Sequence, residues 1–146
     1  DRTVMMVLSE AYEEQDLSTP EKADSRVLLK FPAKLSPIKL AILPLVKKDG
    51  LPEIARQLMD ECKASFKCFY EEKDAIGKRY RRQDAIGTPF CVTIDHQTKE
   101  DGMVTVRHRD SMLQERILLK EVKNLIKMLS LVDAFEFAAE APFPAV

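Results

Sequence analysis

Four cations crowd one aromatic in Gly77-Lys-Arg-Tyr-Arg-Arg82. Phosphate oxygens are the natural partners of such a group, because it offers donors and positive charge together. The same residues also fit a solvated helix face, with Glu71, Glu72, Asp74 and Asp84 nearby to neutralise it. A second group lies in Val104-Thr-Val-Arg-His-Arg-Asp-Ser-Met-Leu-Gln114. If a strand runs to position 109, alternation puts Val104, Val106 and His108 on one face and Met103, Thr105, Arg107 and Arg109 on the other. Two arginines on one strand face stand about 7 Å apart, close to the spacing of successive phosphates or bases. Asp110 adds an acceptor for an exocyclic amine. A surface Arg–Asp network is the competing reading of this segment. Lys78, Arg79 and Arg82 have helical spacing and no acceptor among them, so they are expected to hold phosphates. Arg107, Arg109 and Asp110 mix donors with an acceptor, so they are expected to read bases.

Other chemistries find little support. His96 and His108 are the only histidines, and no spacing around them supplies three or four convergent metal ligands. There is no Ser/His/Asp signature, no phosphate-cradling loop and no dinucleotide fingerprint, and four glycines build such loops poorly. By residue chemistry alone the chain reads as a binding module. Its formal charge of −1 means that any nucleic-acid surface must come from local clustering.

These groups need elements to carry them. With 146 residues, 45% hydrophobic and 32% charged, the chain can fill one core. Cys62, Cys68 and Cys91 form no Cys-x-x-Cys pair and leave an odd count, which suits a reducing, cytoplasmic compartment. No apolar run is long enough for a membrane span. Val4, Val7, Leu8, Ala11 and Tyr12 predict an amphipathic helix over 3–15, followed by a polar linker over 16–25. Arg26–Phe31 and the nearly continuous apolar run Ile38–Leu45 predict strands, the second buried on both faces and ending at Pro44. Pro52 opens a helix, and Cys68–Tyr70 is a short strand. A compact helix is expected between Asp74 as N-cap and Gly87 as C-terminal glycine. Strands are expected at 89–94, 103–107 and about 113–117, with a polar loop between the first two and a final helix from Leu118 to Leu129. The order β-β-α-β-α-β-β-β-α predicts an α/β domain with a mixed β-sheet flanked by helices, preceded by one N-terminal helix. Residues 1–25, 26–130 and 131–146 are expected to be an entering helix with linker, the domain itself and an unassigned tail. A chain opening at Asp1 in mid-pattern reads as a cut piece.

Four segments in order carry a resemblance: Lys34-Leu-Ser-Pro-Ile-Lys-Leu-Ala-Ile-Leu-Pro-Leu45, Ile76-Gly-Lys-Arg-Tyr-Arg-Arg-Gln-Asp84, Gly87-Thr-Pro-Phe-Cys-Val-Thr-Ile-Asp95 and Thr105-Val-Arg-His-Arg-Asp-Ser-Met-Leu-Gln114. Together they resemble the anticodon-binding domain of the dimeric type of glycyl-tRNA synthetase. The first and third are shared more loosely with other class II synthetases. Arg2-Thr-Val-Met-Met-Val-Leu-Ser-Glu-Ala-Tyr12 is similar to the end of the third class II motif, where an arginine contacts ATP; Arg2 matches that arginine. The resemblance implies tRNA(Gly) as partner, with Lys78, Arg79, Arg82, Arg107, Arg109, Asp110 and Gln114 as tRNA-binding residues. It also implies a full-length parent that is a homodimeric, cytoplasmic glycine–tRNA ligase using ATP and magnesium. The piece alone is expected to be inactive, with no cofactor or metal of its own and no membrane partner. The sequence departs from the family pattern at His108, Ala85 and His96-Gln97. A non-catalytic nucleic-acid-binding protein of the same fold, such as a DNA polymerase accessory subunit, is the alternative. A small redox or nucleotide enzyme is disfavoured by the missing motifs.

Overall fold

The apolar run at 38–45 becomes β3 (Leu40–Pro44), every residue of which is buried. A strand so uniformly apolar must be covered on both faces, and the sheet around it is. The computed structural model describes residues 1–129, so the expected tail at 131–146 lies outside the described residues. β3 sits between β4 (Cys68–Tyr70) and β5 (Phe90–Ile94), parallel to both. β6 (Met103–His108) and β7 (Gln114–Leu118) continue the sheet antiparallel, giving the order β4-β3-β5-β6-β7. The expected mixed sheet is therefore present.

Helices α2 (Leu51–Cys62) and α5 (Val122–Leu129) cover one face. Their Leu51, Ala55, Leu58, Cys62, Val122, Leu125, Ile126 and Leu129 pack on Leu40, Ile42, Val92, Val104, Val106 and Ile117. The opposite face carries α3 (Ile76–Ile86), whose Ile76 and Tyr80 meet Ala41, Leu43 and Cys91. That second apolar contact is small, and α3 is seated largely by polar groups.

Five local expectations are corrected. The first helix, α1 (Arg2–Ala11), stops before residue 12, because Tyr12–Asp16 forms β1 and pairs antiparallel with β2 (Ser25–Leu29) from Tyr12↔Leu29 to Asp16↔Ser25. Ladder pairing overrides the helical stripe at Tyr12. The expected linker is thus mostly a hairpin loop, held by Leu17 N–H to Asp24 O at 2.8 Å, and the β1–β2 pairing crosses the 25/26 boundary. β2 belongs to this ribbon, not to the main sheet. The polar loop before β6 contains a one-turn helix, α4 (Thr98–Asp101). Asp74 is not the N-cap of α3. Ala75 takes that place, and Asp74 sits at φ 67°. Gly87 does close α3 in the left-handed region at φ 84°.

Candidate nucleic-acid interface

On α3, Ile76, Tyr80, Gln83 and Asp84 fall on one stripe, so an acid occupies a place where a core residue would sit. Asp84 is fully buried, and its carboxylate accepts a forked pair from Arg107 at 2.8 and 3.0 Å and a third bond from Arg26 at 3.1 Å. Arg26 also donates to the Arg109 carbonyl at 2.7 Å, the Asp110 carbonyl at 3.1 Å and Gln15 Oε1 at 2.7 Å. Arg107 lies 4.7 Å over the Tyr80 ring, and the Tyr80 hydroxyl bonds Thr93. Burial works against the Arg107 charge, but the Asp84 carboxylate outweighs it and raises its pKa. One carboxylate thus joins the hairpin, α3 and β6.

The arginines assigned to RNA are mostly inside this framework. Alternation does place Arg107 opposite Val104 and Val106, but α3 and the hairpin cover that face. Arg109 is 1% exposed and donates to Gly87 O at 2.8 Å, to Phe31 O and to Asp110 Oδ1 at 2.8 Å. Arg79 is 2% exposed, and its fork donates to Pro44 O at 2.7 Å, Glu71 O at 3.2 Å and Leu45 O at 3.2 Å. Arg79, Arg107 and Arg109, expected to contact RNA, are thus buried with their terminal guanidinium nitrogens bonded to protein acceptors, while Arg79 Nε is buried without a partner. Asp110 turns its carboxylate to Arg109 and lies 3.8 Å from His108. His108 stacks on Phe90 with ring centroids 5.4 Å apart, and burial holds its pKa below the ordinary value against the pull of Asp110.

Lys78, Arg82 and Gln114 are exposed. Arg82 is paired with Glu71 at 2.7 Å and Asp74 at 2.8 Å, and this bond to Arg82 lowers the Asp74 pKa. Arg2 is exposed on the first turn of α1, and a lone exposed guanidinium does not make a nucleotide site. No group of three or more metal-binding side chains gathers among the described residues. Nor is any described helix long and apolar enough to cross a membrane.

The predicted set is also divided between two ends of the sheet. α3 starts beside the carboxyl ends of β3 and β4, where Arg79 meets Pro44 and Glu71. His108 lies opposite Phe90, at the other end of β5, and the turn after it approaches α3 where Arg81 Nη1 lies 3.9 Å from Met112 Sδ. Open α/β sheets bind ligands outside the carboxyl ends of their strands. Loops 45–50, 71–75 and 95–97 emerge there, bearing exposed Lys47, Lys48 and Lys73, with Lys99 just beyond on α4. Lys99 Nζ donates to Asp49 O at 2.7 Å, and His96 lies 3.7 Å from the Asp49 carboxylate, so the first and third loops are tied. At the rim, Arg116 bridges Asp95 at 3.0 Å and Asp101 at 3.0 Å. Sequence reasoning missed Arg26, Asp84 and these loop lysines. Asp84 was detectable as a charge on the stripe of α3, whereas the lysines converge only through the sheet order.

Comparison with known proteins agrees with the architecture. The family described as the anticodon binding domain matches residues 39–129. The chain is 52% identical over 126 residues to a glycine–tRNA ligase of Borreliella burgdorferi and 48% identical over 126 residues to that of Borrelia hermsii. It is 49% identical over 127 residues to that of Treponema denticola. Each alignment covers 86% of this chain but only 28% of the relative's length.

Proposed function

Since the chain belongs to the anticodon binding domain family, we propose that it recognises the anticodon of tRNA(Gly) as the C-terminal part of a glycyl-tRNA synthetase. The observation that carries this is the run of about half-identical residues shared with glycine–tRNA ligases across 86% of the chain. The exposed Lys47, Lys48 and Lys73 at the carboxyl edge offer donors for phosphate oxygens, set among Asp49, Glu71, Glu72 and Asp74 in the same loops. Lys78 and Arg82, on the adjoining helix, hold the RNA backbone. The parent joins glycine to the tRNA with ATP and magnesium, as a cytoplasmic homodimer. This piece alone does not activate glycine, because Arg2 is the single ATP-contacting residue that the resemblance supplies.

The glycine anticodon ends in two cytosines, whose exocyclic amines and ring acceptors distinguish them from other bases. Anticodon stem-loops with and without those cytosines should therefore bind differently. We expect at least about tenfold tighter binding of the cytosine-containing stem-loop, or about 1.4 kcal/mol. Equal affinity for both would rule out anticodon reading by this chain.

A further inference from the structure

We infer that Arg79 is a positioning residue for RNA binding, one that sets the loops after β3 and β4 without touching the RNA. The inference rests on the RNA-binding reading above. Pairing between β3 and β4 runs through Leu40↔Cys68, Ala41↔Phe69 and Ile42↔Tyr70, with Glu71 N–H adding one bond to Ile42 O at 3.3 Å. Beyond that point the two chains have no common ladder. Pro44 has no N–H to extend one.

The Arg79 fork takes over at this gap. Nη1 bridges Pro44 O and Glu71 O, while Nη2 bonds Leu45 O, so one planar group joins the outgoing backbone of both strands. These carbonyls lead directly into the loops carrying Lys47 and Lys48 on one side and Lys73 on the other. Arg82 reinforces the second loop through Glu71, Asp74 and the Lys73 carbonyl at 3.0 Å. A lysine at position 79 keeps the charge but offers its donors from a single nitrogen, without the two separated terminal nitrogens that Arg79 places on these carbonyls. Position 79 therefore depends on the shape of the guanidinium, whereas a phosphate contact depends mainly on its charge.

The test titrates the 146-residue chain with stem-loops that contain or lack the two cytosines, using wild type, Arg79→Lys and Arg79→Gln, with hydrogen exchange followed in parallel. Both variants should lose about tenfold or more in affinity, to a similar extent, and should lose discrimination between the stem-loops. Exchange at 71–75 should quicken while β5 and β6 stay protected. Retention of affinity within about threefold by Arg79→Lys, with Arg79→Gln impaired, identifies a charge contact and overturns the inference. Retention by both variants overturns it too. Failure of the wild type to discriminate is a different result, and refutes the RNA reading itself. Should either variant unfold, guanidinium resonances of the wild type decide. Arg79 signals that stay protected and unshifted on RNA addition support the inference, and a shift as large as that of Arg82 overturns it.

Discussion

Asp84 shows how much one buried carboxylate can determine. Buried itself, it pairs with both Arg107 and Arg26, and each of those guanidinium groups is also tied to neighbouring structure. Removing one partner from a buried ion pair leaves uncompensated charge and costs about 3–5 kcal/mol. Asp84→Asn should lower unfolding free energy by that amount in a urea titration; an unchanged midpoint would show that the network contributes nothing. His108 gives a pH signature instead. A free imidazole titrates at about 6.5, and burial holds that of His108 lower. Between the folded and unfolded values the unfolded chain binds more protons, so stability falls as pH falls through this window. Asp110 pulls the other way, and Arg107, Arg109 and Arg26 add to the burial effect. His108→Gln should flatten the decline in melting temperature from about pH 7 to pH 5 relative to wild type. An identical decline in both proteins would place the titrating group elsewhere.

At the scale of elements, α3 departs from the usual amphipathic helix. Its sheet-facing side carries Arg79, Gln83 and Asp84 beside Ile76 and Tyr80, so it is located by directional bonds rather than by apolar area. Its end is fixed by Gly87, where φ is 84° and an added Cβ would lie 2.5 Å from the Phe31 ring. Gly102 shares a left-handed conformation, but an added Cβ there meets nothing within 4 Å. Gly102→Ala should therefore cost only the backbone strain, about 1–2 kcal/mol. Gly87→Ala should cost clearly more in thermal unfolding, since Phe31 must also move. Equal costs would mean that Phe31 yields freely. The sequence signature of a helix end was readable at Gly87; the Phe31 contact was not, because those residues meet only when the hairpin folds over α3.

For the whole molecule, the net charge is −1, and the carboxyl-edge loops with α4 interleave Lys47, Lys48, Lys73 and Lys99 with Asp49, Glu71, Glu72, Asp74, Asp95, Glu100 and Asp101. Binding to single-stranded RNA through phosphates releases counterions, with a salt slope of about 0.7 per contact. Lys78→Ala should reduce that slope by about one such step for both stem-loops, leaving their affinity ratio intact. Arg82→Ala should behave similarly, with a smaller effect because Glu71 and Asp74 already compete for its guanidinium. A slope unaffected by either change would make the helix face a solvated surface only.

Local pattern was enough for much of the architecture. The apolar run of β3, the proline entry to α2 and the stripe of α5 are dictated by residues adjacent in the chain, and they survive in the folded protein. The four family segments were legible in the same way. Tertiary structure decided what the charges do. Arg79, Arg107 and Arg109 have the composition of an RNA-binding face, but composition does not reveal which side of a strand another helix will cover. Alternation placed Arg107 opposite the valines; only the docking of α3 and the hairpin made that side an interior. Tyr12–Asp16 became a strand because Ser25–Leu29 was available to pair with it. The carboxyl-edge lysines, separated in sequence, share a surface because parallel strands end together. Non-local pairing and burial, which no window of sequence contains, separate the arginines that build the domain from the cations that face solvent.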